Sequence, residues 1–173
     1  KNDQEIAPNK LNNQIDLFSS NKEVSRQTNN KFELIEDIDK LDELINNVKR
    51  VKKVAFYVIA DTNEALNTKI VGFCFSYVFD FGFYLPFNDD KAEALKAIFE
   101  DNSISKIGYD LKFVIKALST KGINIRGPLF DIKIAHYLLH PEMRHSLDII
   151  ADNYLDNVII EEKSKVLFSE LNN

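Results

Sequence analysis

Three carboxylates beside apolar segments of this sequence could bind a catalytic metal ion. Asp61 and Glu64 follow the apolar run VAFYVIA, and Asp110 precedes a second apolar segment. Carboxylate oxygens are the ligands that Mg²⁺ prefers. However, Asp61 lies about 7 Å beyond Ile59 at the rise of an extended strand, among residues typical of turns. A solvated turn is therefore the favoured interpretation, and a metal site built from these carboxylates is the alternative.

Two histidines, His136 and His140, have the i, i+4 spacing that places side chains on the same side of a helix. Such a pair can bind Zn²⁺, but the zinc-protease motif requires a Glu directly after the first His, and no third ligand is evident. We therefore expect His136 to be a packed helix residue and His140 to lie at a helix C-terminus.

Two more charged residues stand beside predicted helices. Asp131 precedes an apolar segment and should cap a helix N-terminus. Lys112 has two possible roles, contact with a phosphate or a salt bridge. The glycines follow neither of the phosphate-loop patterns, GxGxxG and GxxxxGK[ST].

Composition limits the possible functions. The 173 residues are 45% hydrophobic and 28% charged, with a net charge of −5 and a single cysteine, Cys74. This is the composition of one globular domain, and the acidic balance argues against strong autonomous binding to duplex DNA. With no apolar run long enough to cross a bilayer and no possible internal disulfide, we expect a cytoplasmic protein, monomeric and without membrane contact.

The pattern of apolar residues predicts the elements that position these side chains. Residues 1–30 are rich in Asn, Gln, Ser and Lys and are predicted to form a linker or arm. Apolar spacing predicts a helix over 37–50, after a short strand at 32–35. Three strands follow with short polar links, as in an antiparallel meander, and their boundaries are 54–60, 69–78 and 81–87. The first of them is apolar on both faces, as in a central strand covered on both sides.

After the meander the order becomes α-β-α-β-α. Helices are predicted at 89–100, 111–119, 132–140 and 146–155, with short strands at 105–109 and 123–125. This is the layout of an α/β, ribonuclease-H-like fold with a mixed sheet, in which the first meander strand is central.

The sequence also resembles a known family, the 3′–5′ proofreading exonuclease domain of bacterial family A DNA polymerases. Three segments, in the family's order and spacing, carry the resemblance: KVAFYVIADTNEALNTKIVGFCF, KIGYDLKFVIKAL and GINIRGPLFDIKIAHYLLHPEMRHSLDIIADNYL. It covers roughly residues 31–170, so residues 31–173 are expected to form this domain without its C-terminal part.

The resemblance implies hydrolysis by two metal ions, which clamp the attacking and leaving oxygens. In the family, an Asp and a Glu two residues apart on a strand, a second Asp and a Tyr-x-x-x-Asp motif provide the ligands. Here Tyr57, Ile59 and Val114 occupy the first three of those positions. The Tyr-x-x-x-Asp motif would lie beyond Asn173. We therefore expect no catalytic residue, metal or cofactor in this domain, although the parent polymerase would use Mg²⁺.

The resulting expectation is a fragment of a DNA polymerase I whose exonuclease-like domain is inactive. It would act as a structural scaffold for the polymerase domain of the same chain, in DNA replication and repair, and would contact DNA through the parent enzyme. One alternative is an active metal-dependent 3′–5′ exonuclease with displaced carboxylates at Asp61, Glu64 or Asp110. Another is a stand-alone, non-catalytic interaction module.

Overall fold

The computed structural model describes residues 31–155 of the chain. The predicted N-terminal arm lies outside this range. The strands are β1 (Lys31–Leu34), β2 (Lys53–Ala60), β3 (Ile70–Val78), β4 (Phe81–Pro86), β5 (Ser105–Gly108) and β6 (Leu129–Asp131). The helices are α1 (Ile38–Val51), α2 (Ala92–Phe99), α3 (Leu111–Ser119), α4 (Ile132–Leu139) and α5 (Leu147–Tyr154), with a 3₁₀ turn at Asp89–Lys91 before α2.

The six strands form one mixed sheet in the order β1-β4-β3-β2-β5-β6. Strands β2, β3 and β4 pair antiparallel, whereas β5 joins β2 in parallel and β6 joins β5 in parallel. The predicted meander and the central position of β2 are therefore confirmed. Strand β1 pairs in parallel with β4 at the sheet edge, a pairing that the sequence did not predict.

Helix α1 illustrates how local sequence produces these elements. The Asp37 carboxylate accepts a hydrogen bond from the Lys40 amide at 2.8 Å and caps the first turn. At the other end Lys52 adopts the left-handed conformation, with φ at 57°, and its amide bonds back to Val48. The buried stripe has the 3.6-residue spacing of a helix packed on a sheet and comprises Leu41, Leu44, Ile45 and Val48.

The strand predicted at 123–125 was wrong, and β6 lies a few residues later. The Ile123 amide donates to the Leu118 carbonyl at 3.1 Å, and the Arg126 amide donates to the Phe99 carbonyl at 2.9 Å. These bonds satisfy carbonyls at the ends of α3 and α2. Because the backbone of this segment is occupied in ending two helices, it does not pair with the sheet.

The main core lies on one face of the sheet. Phe99 of α2 packs its ring against those of Phe56, Phe73 and Phe75, at centroid distances between 5.1 and 6.1 Å. The opposite face is only partly covered by the described residues, since Tyr57 is 41% exposed. Within residues 31–155, the predicted cover of β2 is present on one face and incomplete on the other. Within residues 31–155, no helix has the length and apolar character needed to cross a membrane.

Candidate functional site

A cleft of about 230 Å³ lies between the C-terminal end of β2 and the start of α3. Its lining residues are Tyr57, Val58, Ala60, Thr62, Asn63, Tyr109, Asp110, Phe113 and Val114. The fold thus brings together two of the three positions where the family resemblance implies carboxylates, Tyr57 and Val114. It also places one carboxylate, Asp110, beside them.

Tyr57 projects from the partly covered face of β2. It is paired across the sheet with Cys74. Burial, and to a smaller degree the neighbouring Cys74, raises the pKa of the Tyr57 phenol above its ordinary value. The side chain therefore carries no charge at neutral pH and is a poor replacement for a carboxylate ligand.

Ile59 lies two residues further along β2 and does not line the cleft. It is paired with Gly72 of β3. The Tyr84 ring packs directly over Gly72, and a Cβ at Gly72 would lie 2.6 Å from Tyr84 Cε2. Here the sheet surface is apolar and closely packed, with no carboxylate at either paired position.

Val114 on α3 belongs to the hydrophobic core as well as to the cleft wall. It is 3% exposed and buried together with Leu111, Ala117 and Leu118 of the same helix. A carboxylate at this position would lose most of its hydration, which is costly unless a cation compensates for it. The third position is thus occupied by a residue that stabilises the core.

Asp110 is the carboxylate that lines the cleft, and it is already paired. Its Oδ2 atom accepts a hydrogen bond from Lys133 Nζ at 2.6 Å, an interaction that raises the pKa of Lys133. The same ammonium group lies 5.6 Å from the centre of the Tyr109 ring. Asp110 has a left-handed backbone with φ at 52°, a conformation that Asp tolerates better than most residues.

Asp61 stabilises the turn between β2 and β3 and does not line the cleft. Its Oδ1 atom accepts hydrogen bonds from the Lys69 amide at 2.7 Å and the Thr68 hydroxyl at 3.0 Å. The bond from the Lys69 amide is the main reason that the pKa of Asp61 lies below its ordinary value. A register shift between Ile59 and Ala60 interrupts the strand alternation just before it.

Glu64 is exposed within the same turn. Its Oε2 atom accepts a hydrogen bond from the Asn67 side-chain amide at 3.5 Å, and it too is absent from the cleft lining. Asp61 and Glu64 thus lie in a turn in this structure, and the fold does not gather them with Asp110.

The residues around the cleft do not fit a two-metal centre. In the range 31–155, no three His, Cys, Asp or Glu side chains are grouped so that they could hold a metal ion. The cleft offers one carboxylate, already bonded to a lysine, beside neutral phenol, hydroxyl and amide groups. Hard divalent ions at catalytic sites require several converging carboxylates. Lys112 is exposed and lies outside the cleft.

The histidines form a packed cluster. His136 is 3% exposed, and its Nδ1 atom lies 2.7 Å from Nδ1 of His145, so one of these two nitrogens donates a proton to the other. His140 ends α4, and its Nε2 atom is 3.0 Å from the Tyr154 hydroxyl. His136 is thus a packed helix residue and His140 lies at the C-terminus of α4, as the sequence predicts for each.

Asp131 caps α4 as predicted and has a second role that the sequence did not reveal. Its Oδ1 atom accepts from the Lys133 amide at 2.9 Å, and its Oδ2 atom accepts from the Leu111 amide at 2.7 Å. One carboxylate therefore joins the N-termini of α3 and α4. The second bond, like the Asp110–Lys133 pair, joins residues distant in sequence, for which no local spacing gives a signal.

Comparison with known proteins finds a matching sequence family and a relative. The sequence profile of the 3′–5′ exonuclease family matches residues 32–169. DNA polymerase I of Borreliella burgdorferi is 29% identical over 136 residues, which cover 73% of this chain and 15% of that protein. The chain therefore spans a small part of this relative's length.

Two solved structures show the same fold. The POL domain of Pol1 from M. smegmatis, in complex with DNA primer-template and dNTP, matches with a TM-score of 0.64 at 20% identity, covering 75% of this chain and 23% of that chain. Brucella melitensis NrnC with bound Mg²⁺ matches with a TM-score of 0.60 at 20% identity, over 76% of this chain and 64% of that chain. The predicted ribonuclease-H-like fold is confirmed.

Proposed function

Since the chain belongs to the 3′–5′ exonuclease domains of family A DNA polymerases, we propose that it is a non-catalytic member of that family. In this proposal, residues 31–173 are part of a cytoplasmic, monomeric DNA polymerase I. The domain packs beside the polymerase domain of the same chain and helps to maintain its shape during DNA replication and repair. The parent enzyme contacts DNA and uses Mg²⁺ for synthesis.

The observation that carries this proposal is the composition of the cleft. The family resemblance assigns carboxylates to three positions that are here Tyr57, Ile59 and Val114. The nearest remaining carboxylate, Asp110, is bonded to Lys133 at 2.6 Å. Without several converging carboxylates, the ions that would activate water and stabilise the leaving oxygen have no common binding site.

One observation supports the active alternative. Asp110 lines the same cleft as Tyr57, so a single metal ion held by Asp110 and neutral oxygens would have the correct location. This alternative requires the Lys133 ammonium group to leave Asp110, because a cation and a metal ion compete for the same carboxylate.

A nuclease assay distinguishes the two candidates. The purified chain is incubated with 5′-fluorescent single-stranded DNA and either Mg²⁺ or Mn²⁺, and products are resolved by length. We expect no stepwise 3′ trimming above the level of a blank purification. Trimming that is abolished by Asp110→Asn or Asp61→Ala but retained in the matched control Glu93→Gln would establish the active exonuclease.

The scaffold role has a separate test. Reading the gene beyond the codon for Asn173 should reveal a continuous reading frame that encodes the rest of the domain and then a polymerase domain. A stop codon at that point would contradict the scaffold proposal and favour the stand-alone interaction module.

A further inference from the structure

Helices α3 and α4 and strand β6 enclose an apolar groove that is separate from the cleft described above. Its volume is about 640 Å³, and Lys112 and Lys116 lie along its α3 side. Leu111 at its base is buried, and five other large apolar side chains that line it are between 40% and 73% exposed: Ile115, Leu129, Phe130, Ile134 and Leu138. A contiguous apolar surface of this kind marks a contact site in a folded protein.

Helix α4 shows the same feature most clearly. Its sequence, IKIAHYLL, is apolar on nearly all sides, yet His136 is its only buried residue. A helix with apolar residues around its circumference is normally enclosed by other elements. Ile134 is 56% exposed and Leu138 is 73% exposed on the groove side, so the described residues leave this side of the helix uncovered.

The sequence after α5 has the composition to cover it. Residues 158–171 read VIIEEKSKVLFSEL, with an apolar run at each end of an acidic and basic centre. The family match continues to residue 169, beyond the last described residue, Leu155. This segment therefore belongs to the same domain as the groove.

The chain also leaves α5 beside the helix that forms the groove wall. Tyr154, the last residue of α5, has its hydroxyl 3.0 Å from His140 Nε2 at the end of α4. Residues 158–171 thus begin only a few residues after a contact with α4. Between its apolar runs the segment carries Glu161 and Glu162, opposite in charge to the two lysines along the groove, and also Lys163 and Lys165.

We propose that residues 158–171 of this chain bind in the groove between α3, β6 and α4. The two apolar runs, 158–160 and 166–168, cover the exposed side chains of Ile134 and Leu138. The glutamates of the segment lie near Lys112 and Lys116. The segment then completes the hydrophobic enclosure of α4, which residues 31–155 leave open.

Hydrogen exchange of the complete 173-residue chain tests this proposal, with two neighbouring substitutions on α4. Leu138→Asp changes a groove residue that is 73% exposed, and Leu139→Asp changes its neighbour, 68% exposed and outside the groove. In the unmodified chain, amides within 158–171 should exchange slowly. We expect Leu138→Asp to accelerate that exchange by ~10-fold or more and Leu139→Asp to change it by less than ~2-fold, because local opening sets the rate.

A substitution on the segment provides a second, independent test. Phe168→Asp should increase exchange within 158–171 and also within α4, while β2 and β3 keep their protection. The proposal is overturned if the segment exchanges at the unprotected rate in the unmodified chain, or if both α4 variants accelerate it equally. A concentration-dependent dimer in sedimentation, lost in Leu138→Asp while the segment stays unprotected, would instead assign the groove to a second copy.

Discussion

Phe56 and Tyr57 are neighbours on β2, but they face opposite sides of the sheet and different surroundings. Phe56 is 6% exposed and packs edge-on against Phe99, with ring centroids 5.1 Å apart. Tyr57 is 41% exposed and borders the cleft where the family resemblance implies metal ligands. One face of the central strand is hydrophobic core, and the other keeps the open shape of a site.

The difference shows that the positions to which the resemblance assigns carboxylates are not all part of the hydrophobic core. The cleft persists at the end of β2, although its polar groups are neutral or already paired. Of Tyr57, Ile59 and Val114, the three positions to which the resemblance assigns carboxylates, Val114 is the one that is buried in the core, at 3% exposed. Under the proposed function, the cleft would have the shape of the family's site without its metal ligands.

The largest expected effect is a contrast between the two neighbours. Phe56→Ala should lower the free energy of unfolding by about 3–5 kcal/mol, because it leaves a cavity in packed core. Tyr57→Ala should cost about 1 kcal/mol or less, since the side chain is already substantially hydrated. Urea denaturation of both variants measures the difference, and equal losses would contradict the distinction between the two faces.

The next effect separates Val114 from Tyr57 within the cleft itself. Val114→Asp should cost about 3 kcal/mol, because a nearly buried carboxylate loses its hydration without gaining a partner. Tyr57→Asp should cost about 1 kcal/mol or less at the more exposed position. Thermal unfolding of the two variants checks this order, and a reversed order would place Val114 outside the core.

A buried lysine gives the next effect, a decrease of about 2–3 kcal/mol in the free energy of unfolding. Lys106 on β5 is fully buried, and its Nζ atom donates to the carbonyl oxygens of Asp101, Ile104 and Arg126 at 2.6, 3.0 and 2.7 Å. Lys106→Met should destabilise the domain because these acceptors lose their donor. Chemical denaturation measures this loss, with the exposed Lys53→Met as a control expected to have little effect.

The smallest effect is a pH dependence that originates in α4, away from both faces of β2. Burial, followed by the neighbouring His145 and His140, lowers the pKa of His136, while Glu142 acts in the opposite direction. Because the folded pKa is below the ordinary value of about 6.5, the unfolded chain binds protons more readily as the pH falls. The contribution to stability is complete above about pH 6.5 and declines as the pH falls through the folded pKa.

Denaturation midpoints between pH 7.5 and pH 5, chosen to bracket the ordinary histidine range of about 6.5, measure this dependence. His136→Gln should remove the part of the pH dependence of stability that comes from His136. The matched control Arg144→Gln, at an exposed position, should leave the pH dependence of stability unchanged. An identical slope in the unmodified chain and in His136→Gln would contradict the assignment to His136.

Much of the fold could be predicted from the sequence, because its elements are locally encoded. The apolar stripe and the Asp37 cap define α1, and the short polar links between three apolar runs define the meander. The strand predicted at 123–125 is absent because of contacts with residues distant in the sequence. Ile123 is buried and Ile125 is partly buried, but the Ile123 amide bonds to the end of α3, which apolar periodicity does not reveal.

The site was predictable only in part. The spacing of the motifs placed Tyr57 and Val114 beside one cleft, and the turn residues around Asp61 indicated its structural role. The exposure of Tyr57 could not be read from an apolar strand, because it depends on which described elements cover each face. The pairing of Asp110 with Lys133 joins distant parts of the chain and has no local signature.

A titration with Mn²⁺, followed by the broadening of amide signals, tests the central claim most directly. The account predicts no saturable broadening of Tyr57, Ile59 or Val114 at millimolar Mn²⁺, because no carboxylates converge on them within residues 31–155. Saturable broadening centred on Tyr57 and Asp110, and removed by Asp110→Asn, would contradict it and show that the cleft still binds a metal ion.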